Sequence, residues 1–229
     1  MNVISKWIRG SSHSGEPGPE ERREVIPRRS NGLHELTRSL NGGQGMRVLD
    51  LGPTSPTNIA YFTGLEHRIY HEDVLLAALD PALTVLAEDG RSSVDAGRFV
   101  AENLVYEKEL FDAVLCWDIA DYLDAELVKP VIERIHRILK PKGLLLGFFH
   151  TRDAGPEAPY YRYHIGGPDT LELQRIPPPL PGQQPAARYR YFRLQRIFNN
   201  RHIENLFHDF ASIKFFLGRD NIREVLVVR

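Results

Sequence analysis

The sequence predicts an α/β fold, a mostly parallel sheet in a three-layer arrangement that closes with an antiparallel C-terminal hairpin. Three observations carry this expectation. Short, nearly continuous apolar runs at Val48–Leu51, Val114–Cys116 and Leu144–Phe149 read as strands covered on both faces, as parallel strands are. The segments between them place apolar residues at helical spacing, so strands hand over to helices in right-handed crossovers. Finally, Ala211–Leu217 and Ile222–Val228 flank Gly218-Arg219-Asp220-Asn221, a hairpin signal. With 229 residues, 42% of them hydrophobic, the chain can bury a full core as one domain with a small appendage. Its net charge of −1 gives no global reason to bind nucleic acid or an anionic membrane.

In chain order, Val3, Ile4, Trp7 and Ile8 share one helical face, so Met1–Arg9 is expected as a short amphipathic helix docked on the protein itself. Gly10–Pro19 reads as a linker, and Glu20–Arg29 as a charged, solvated turn or helix. Leu33, Leu36, Thr37 and Leu40 then recur at helical spacing before the stop signal Asn41-Gly42-Gly43. The expected division is residues 1–32 as N-terminal helix and linker and 33–229 as the folded domain, with an insertion at 152–190.

Arg47–Phe62 is the stretch around which the rest is organised. Val48–Leu51 is the first strand, Gly52 permits a sharp turn, and Ser55-Pro56 opens a helix with a capping hydroxyl followed by a proline at the first helical position. A strand, a tight loop and a helix N-terminus aim N–H donors and a positive dipole end at the space above the strand tip. His67–Asp73 reads as the second strand and Val74–Leu86 as a helix. Glu72 stands about 20 residues beyond Asp50, the spacing at which an acid reaches a ribose diol in nucleotide-binding α/β folds; Asp73 fits equally well. Arg98–Asn103 reads as a short third strand, Phe111–Asp118 as the fourth, Asp124–Lys140 as a helix, and Leu144–Phe149 as the fifth strand. Cys116, the lone cysteine, reads as a small buried hydrophobe and suits a reducing cytoplasm. No secretory signal and no bilayer-length apolar run is visible.

Val48-Leu49-Asp50-Leu51-Gly52, Phe111-Asp112-Ala113-Val114 and Leu139-Lys140-Pro141-Lys142-Gly143 together resemble the class I S-adenosylmethionine-dependent methyltransferases. Thr54 and Pro56 stand where that family usually carries its second and third loop glycines. The resemblance, which spans roughly Leu33–Arg229, implies a Rossmann-like sheet of seven strands with S-adenosylmethionine at the strand tips. It implies that Gly52, Thr54 and Ser55 hold the carboxypropyl end, that Asp50 is also among the cofactor-binding residues, that Glu72 or Asp73 holds the ribose, and that Asn103 (or its neighbour Glu102) holds the adenine amino group. Asp118 would border the reacting methyl, and Trp117 would pack on adenine, close the pocket or sit in ordinary core. Asp118 and His150, at the ends of the fourth and fifth strands, are the candidate catalytic groups.

Tyr160–Ile165 and Thr170–Ile176 around Gly166-Gly167-Pro168-Asp169 read as a β-hairpin, so Tyr160, Tyr161 and Tyr163 are pocket walls or packing residues. A stiff connection at Pro177-Pro178-Pro179 and Pro181 follows. Arg188–Arg193 alternates cations with aromatics; an extended strand with one wet face explains this more simply than an RNA surface. Asn199 or Asn200 caps a helix with the apolar stripe Ile203, Leu206, Phe207 and Phe210. The function expected is methyl transfer to a small molecule; the alternatives are a catalytically silent binding or scaffold protein, then an RNA methyltransferase.

Overall fold

The structure, a computed structural model, describes residues 25–86, 92–152, 159–179, 190–218 and 220–229. The expected N-terminal helix and linker lie outside these residues. The main sheet has six strands among the described residues: β2 (Arg47–Asp50), β3 (Arg68–His71), β6 (Phe111–Trp117), β7 (Leu139–His150), β10 (Ser212–Leu217) and β11 (Ile222–Val228). Their order is β10-β11-β7-β6-β2-β3, with β3, β2, β6 and β7 parallel and β11 antiparallel to both neighbours. The order reverses at β2, the first strand of the sheet, and the crevice above such a switch point is where open α/β sheets bind ligands.

Alternation along the strands sorts the core into two layers. Val114, Cys116, Leu145 and Phe149 pack with Leu127, Val131 and Ile135 of α6 (Ala125–Ile138) on one face. On the other face, Leu115, Trp117, Leu146 and Phe148 meet Leu33 and Leu36 of α1 (Asn31–Leu40) and Phe62 of α2 (Pro56–Gly64). Ser30 caps α1 and Ser55 caps α2, each hydroxyl accepting an N–H three residues on.

Four local expectations are corrected. Arg98–Asn103 is not a third strand but most of α4 (Ala96–Asn103), because Asp95 accepts the Arg98 N–H as an N-cap and Arg98 pairs with Glu102 one turn later. The seven-stranded sheet is therefore six-stranded among the described residues; Ser92–Val94 (β5) pairs instead with Thr84–Leu86 (β4) in a separate two-stranded ladder. The helix expected over Val74–Leu86 ends at Ala77 (α3, Val74–Ala77), since Asp80 and Pro81 start a new turn and Pro81 cannot continue a helical ladder. Within residues 190–193 the expected extended strand is absent, and Arg188 and Tyr189 lie outside the described residues.

The fourth correction concerns Glu20–Arg29. Val25–Arg29 is a strand, β1, that pairs antiparallel with β9 (Thr170–Ile176), which pairs with β8 (Tyr160–Gly167). A three-stranded sheet, β1-β9-β8, thus lies over the α1 face and reaches the tips of the main sheet. Arg28 anchors its β1 edge, donating to Asp220 Oδ2 at 2.6 Å and to Glu224 Oε1 at 2.5 Å. Glu224 also accepts from Ser30 Oγ and the Gly32 N–H, so the buried charges are matched on every side.

Candidate functional site

The site forms where β2 and β6 end beneath β8. Asp50 is fully buried and accepts three hydrogen bonds: from the Gly52 N–H at 3.0 Å, Asn58 Nδ2 at 2.8 Å and Trp117 Nε1 at 2.6 Å. Burial pushes its carboxyl above the ordinary range, and the Asn58, Trp117 and Gly52 donors oppose that shift. Asp50 therefore fixes the loop, the helix and the indole in one arrangement. A Cβ at Gly52 would lie 2.9 Å from Trp117 Cδ1, so the glycine is required by the indole laid against it. Trp117 itself has φ of 47°, in the left-handed region, where the strand register with β7 also shifts. Strain of this kind persists only where the surroundings dictate it.

Tyr163, from the middle of β8, lies over Trp117 with ring centroids 5.3 Å apart and planes 3° from parallel, and its hydroxyl donates to Asp118 Oδ2 at 2.8 Å. Asn58 accepts the Ile165 N–H at 2.7 Å, and Ser55 Oγ is 2.8 Å from His164 Nδ1. The space that remains is a cavity of about 20 Å³ bordered by Gly52, Asp73, Trp117, Asp118, Tyr161 and Tyr163. That holds about one water molecule.

The residues expected from the sequence are distributed unevenly around this point. Gly52, Asp73, Trp117 and Asp118 meet at the cavity. Asp50 lies beneath it, Ser55 is buried at the helix cap and engaged with His164, and Thr54 is exposed. Glu72, at the tip of β3, accepts the Tyr106 hydroxyl at 2.6 Å, while Asp73 caps α3. Asn103 is at the end of α4, its amide donating to the Phe99 carbonyl, and Glu102 pairs with Arg98; neither borders the cavity. Trp117 is 4% exposed, and Cys116 is buried as expected.

His150 ends β7 beside a second, wider hollow. Its main-chain N–H donates to Asp121 Oδ2 at 2.6 Å, and its Nδ1 lies 2.8 Å from the same oxygen. Burial draws the imidazole pKa down, but the hydrogen bond to Asp121 and the charges of Asp118, Asp121 and Asp220 leave it raised overall. Asp118, with its carboxyl desolvated by burial, is raised to about 6 despite His150 and Tyr163. The hollow has a volume of about 390 Å³ and is walled by Ile26, Arg152, Tyr161, Leu173 and Ile222 together with His150. Tyr161 borders both spaces.

Asp121 and Asn58 escaped the sequence reading. Asp121 left one signal, a second acid three residues after Asp118 in an otherwise apolar stretch, and so one turn away on the short helix α5 (Ile119–Tyr122). Asn58 left none: its bond to Asp50 spans eight residues across the loop, and its bond to Ile165 spans 107. Among the described residues no cluster of His, Cys, Asp and Glu is arranged to hold a metal ion, and no helix is long and apolar enough to cross a membrane.

Residues 49–147 match the model of a family described as a methyltransferase domain. Among solved structures, the chain is similar to the 1,6-didemethyltoxoflavin-N1-methyltransferase of Burkholderia thailandensis, which was solved with 1,6-didemethyltoxoflavin and S-adenosylhomocysteine bound. The identity is 15%, over 87% of this chain and 79% of that one, with a TM-score of 0.46. The PH0226 protein of Pyrococcus horikoshii is 14% identical over 86% of this chain and 88% of its own, with a TM-score of 0.47. A S-adenosylmethionine-dependent methyltransferase of Methanosarcina mazei is 9% identical over 82% and 93%, with a TM-score of 0.43. Among curated proteins none matches the chain.

Proposed function

Since residues 49–147 match a methyltransferase-domain family, we propose that the chain is a class I S-adenosylmethionine-dependent methyltransferase that methylates a small molecule, with the cofactor at the tips of β2, β3 and β6 and the acceptor in the neighbouring hollow. The observation that carries this reading is the convergence of Gly52, Asp73, Trp117 and Asp118 at the switch point of the sheet, with Tyr161 shared between that point and the wider space. The family's cofactor, when bound, supplies a methyl group already activated on a sulfonium. The groups around the cleft suit it: N–H donors at a loop and helix start, and carboxylates at the tip of β3 for a diol. The space does not fit it in this arrangement, because a cavity of about 20 Å³ cannot take an adenosyl group.

On the acceptor side, Asp121 holds His150 by Nδ1, which leaves Nε2 as the nitrogen that takes a proton from a ligand in the hollow. The mostly apolar walls around it suit a small, largely apolar acceptor with one ionisable O–H or N–H group. The working unit on this reading begins at β1 and not at residue 33, with the sheet β1-β9-β8 as roof, and the location is the cytoplasm. Titration calorimetry of the full chain with S-adenosylmethionine tests the reading: saturable binding at one site per chain supports it, and no heat at millimolar cofactor from the chain and from a folded Tyr163→Ala variant overturns it.

A second reading, a methyltransferase fold retained as a binding or scaffold protein, is favoured by one observation: the groups expected to face the cofactor already bond to β8. The same titration separates the two readings. An RNA substrate has less support, since Arg190 and Arg193 lie on an irregular segment and the chain carries a net charge of −1.

A further inference from the structure

We propose that β8 is a displaceable internal plug of the cofactor cleft, with Tyr163 standing where part of the cofactor must lie; this rests on the cofactor reading above. Tyr163 spreads its ring on Trp117 and donates its hydroxyl to Asp118, so a single side chain covers both residues at the tip of β6. The neighbouring residues of the same strand take the groups at the helix start, His164 on Ser55 and Ile165 on Asn58. The cleft is thus closed by polar contacts that satisfy its own donors and acceptors, together with the packing of Tyr163 and Ile165 among Trp117 and Phe148.

The way β8 is attached makes it movable. It is an edge strand, bonded to β9 on one side only, and its other side meets the main domain through side chains. The opposite edge of the same sheet is pinned by the buried pairs of Arg28 with Asp220 and Glu224. The register slips between Ile165 and Gly167, giving β8 an irregularity next to a glycine pair at its turn end. The sheet therefore has a fixed edge at β1 and a releasable edge at β8. Binding to a cleft that is open only part of the time is weakened by the open fraction, so loosening the plug must tighten binding.

The test uses the full chain in a Trp7→Phe background, which leaves Trp117 as the sole tryptophan. Calorimetry with S-adenosylmethionine reads affinity while Trp117 emission reads whether Tyr163 has left its face. The expected result is at least tenfold tighter binding for Tyr163→Ala, with a red shift of emission on cofactor addition to the parent. If Tyr163→Ala does not fold, Tyr163→Phe keeps the stack, loses the bond to Asp118 and tightens binding about threefold. Equal affinities with unchanged emission overturn the plug and leave the cofactor reading standing. Absence of binding in the parent and in every folded variant overturns the cofactor reading and the plug with it. Binding by the variant alone overturns displacement by the cofactor while leaving Tyr163 as the group that blocks the cleft.

Discussion

Two hollows lie beneath the same three-stranded sheet, and they differ in how their polar groups are satisfied. At the tips of β2 and β6 the groups answer one another: Asp50 takes Asn58 and Trp117, Asn58 takes Ile165, and Asp118 takes Tyr163. About 20 Å³ remains. At the tip of β7 the space is about 390 Å³; behind His150, and not lining that space, Asp121 Oδ1 and the Tyr122 hydroxyl have no hydrogen-bond partner among the described residues. A buried polar group without a partner costs roughly 1–3 kcal/mol, a cost that the surrounding packing must offset. The comparison separates a filled half, where Asp50, Asn58 and Asp118 are bonded from within and, among the described residues, only His71 beside Asp50 lacks a hydrogen bond, from a wider half.

The largest change expected comes from freeing the roof at its anchored edge. Arg28→Ala leaves Glu224 and Asp220 without their cation and should cost roughly 3–5 kcal/mol, read as a lowered denaturant midpoint. A loss under about 0.5 kcal/mol, the scale of an exposed pair, would show that β1 is not the fixed edge. On the open side, His150→Gln should lower methyl transfer about 100-fold or more with cofactor affinity unchanged. A parallel loss of cofactor affinity would mean that the two hollows do not divide the work as described.

A smaller effect is expected from Asp118, whose carboxyl is raised to about 6 by burial. Its folded-state pKa lies above the unfolded value, so the native state binds the extra proton between roughly pH 4 and 6 and stability falls as pH rises through that window. Asp118→Asn should flatten this slope, worth about 2 kcal/mol in urea titrations at the two ends of the window. The smallest effect tests the orienting role of Asp121. Because Asp121 raises the His150 pKa, Asp121→Asn should move the rising limb of the pH–rate profile to lower pH, whereas a purely structural role would lower the rate without moving the limb.

What was legible in the sequence was what is decided locally. Ser55-Pro56 announced the start of α2, the apolar run Val114–Cys116 a central strand, and Gly166-Gly167-Pro168-Asp169 the turn between β8 and β9. Where a local signal was outweighed by another, the reading failed: Phe99 and Val100 suggested a strand, but the Asp95 cap and the Arg98–Glu102 pair decide for a helix. β1 had no readable period, since four of its five residues are exposed and the buried one is Arg28. The site followed the same rule. Asp50, Gly52 and Asp118 lie at strand tips, as a local reading expects, while the arrival of Tyr163 on Trp117 depends on a contact between residues 46 positions apart. No periodicity encodes such a contact.

Hydrogen–deuterium exchange of the full chain, with and without saturating S-adenosylhomocysteine, tests the central claim most directly. The account predicts slower exchange at residues 50–58 and 68–77, where the cofactor is held, together with faster exchange across residues 160–167 as β8 leaves the cleft. A folded protein in which none of these segments changes on addition of the nucleoside would contradict it.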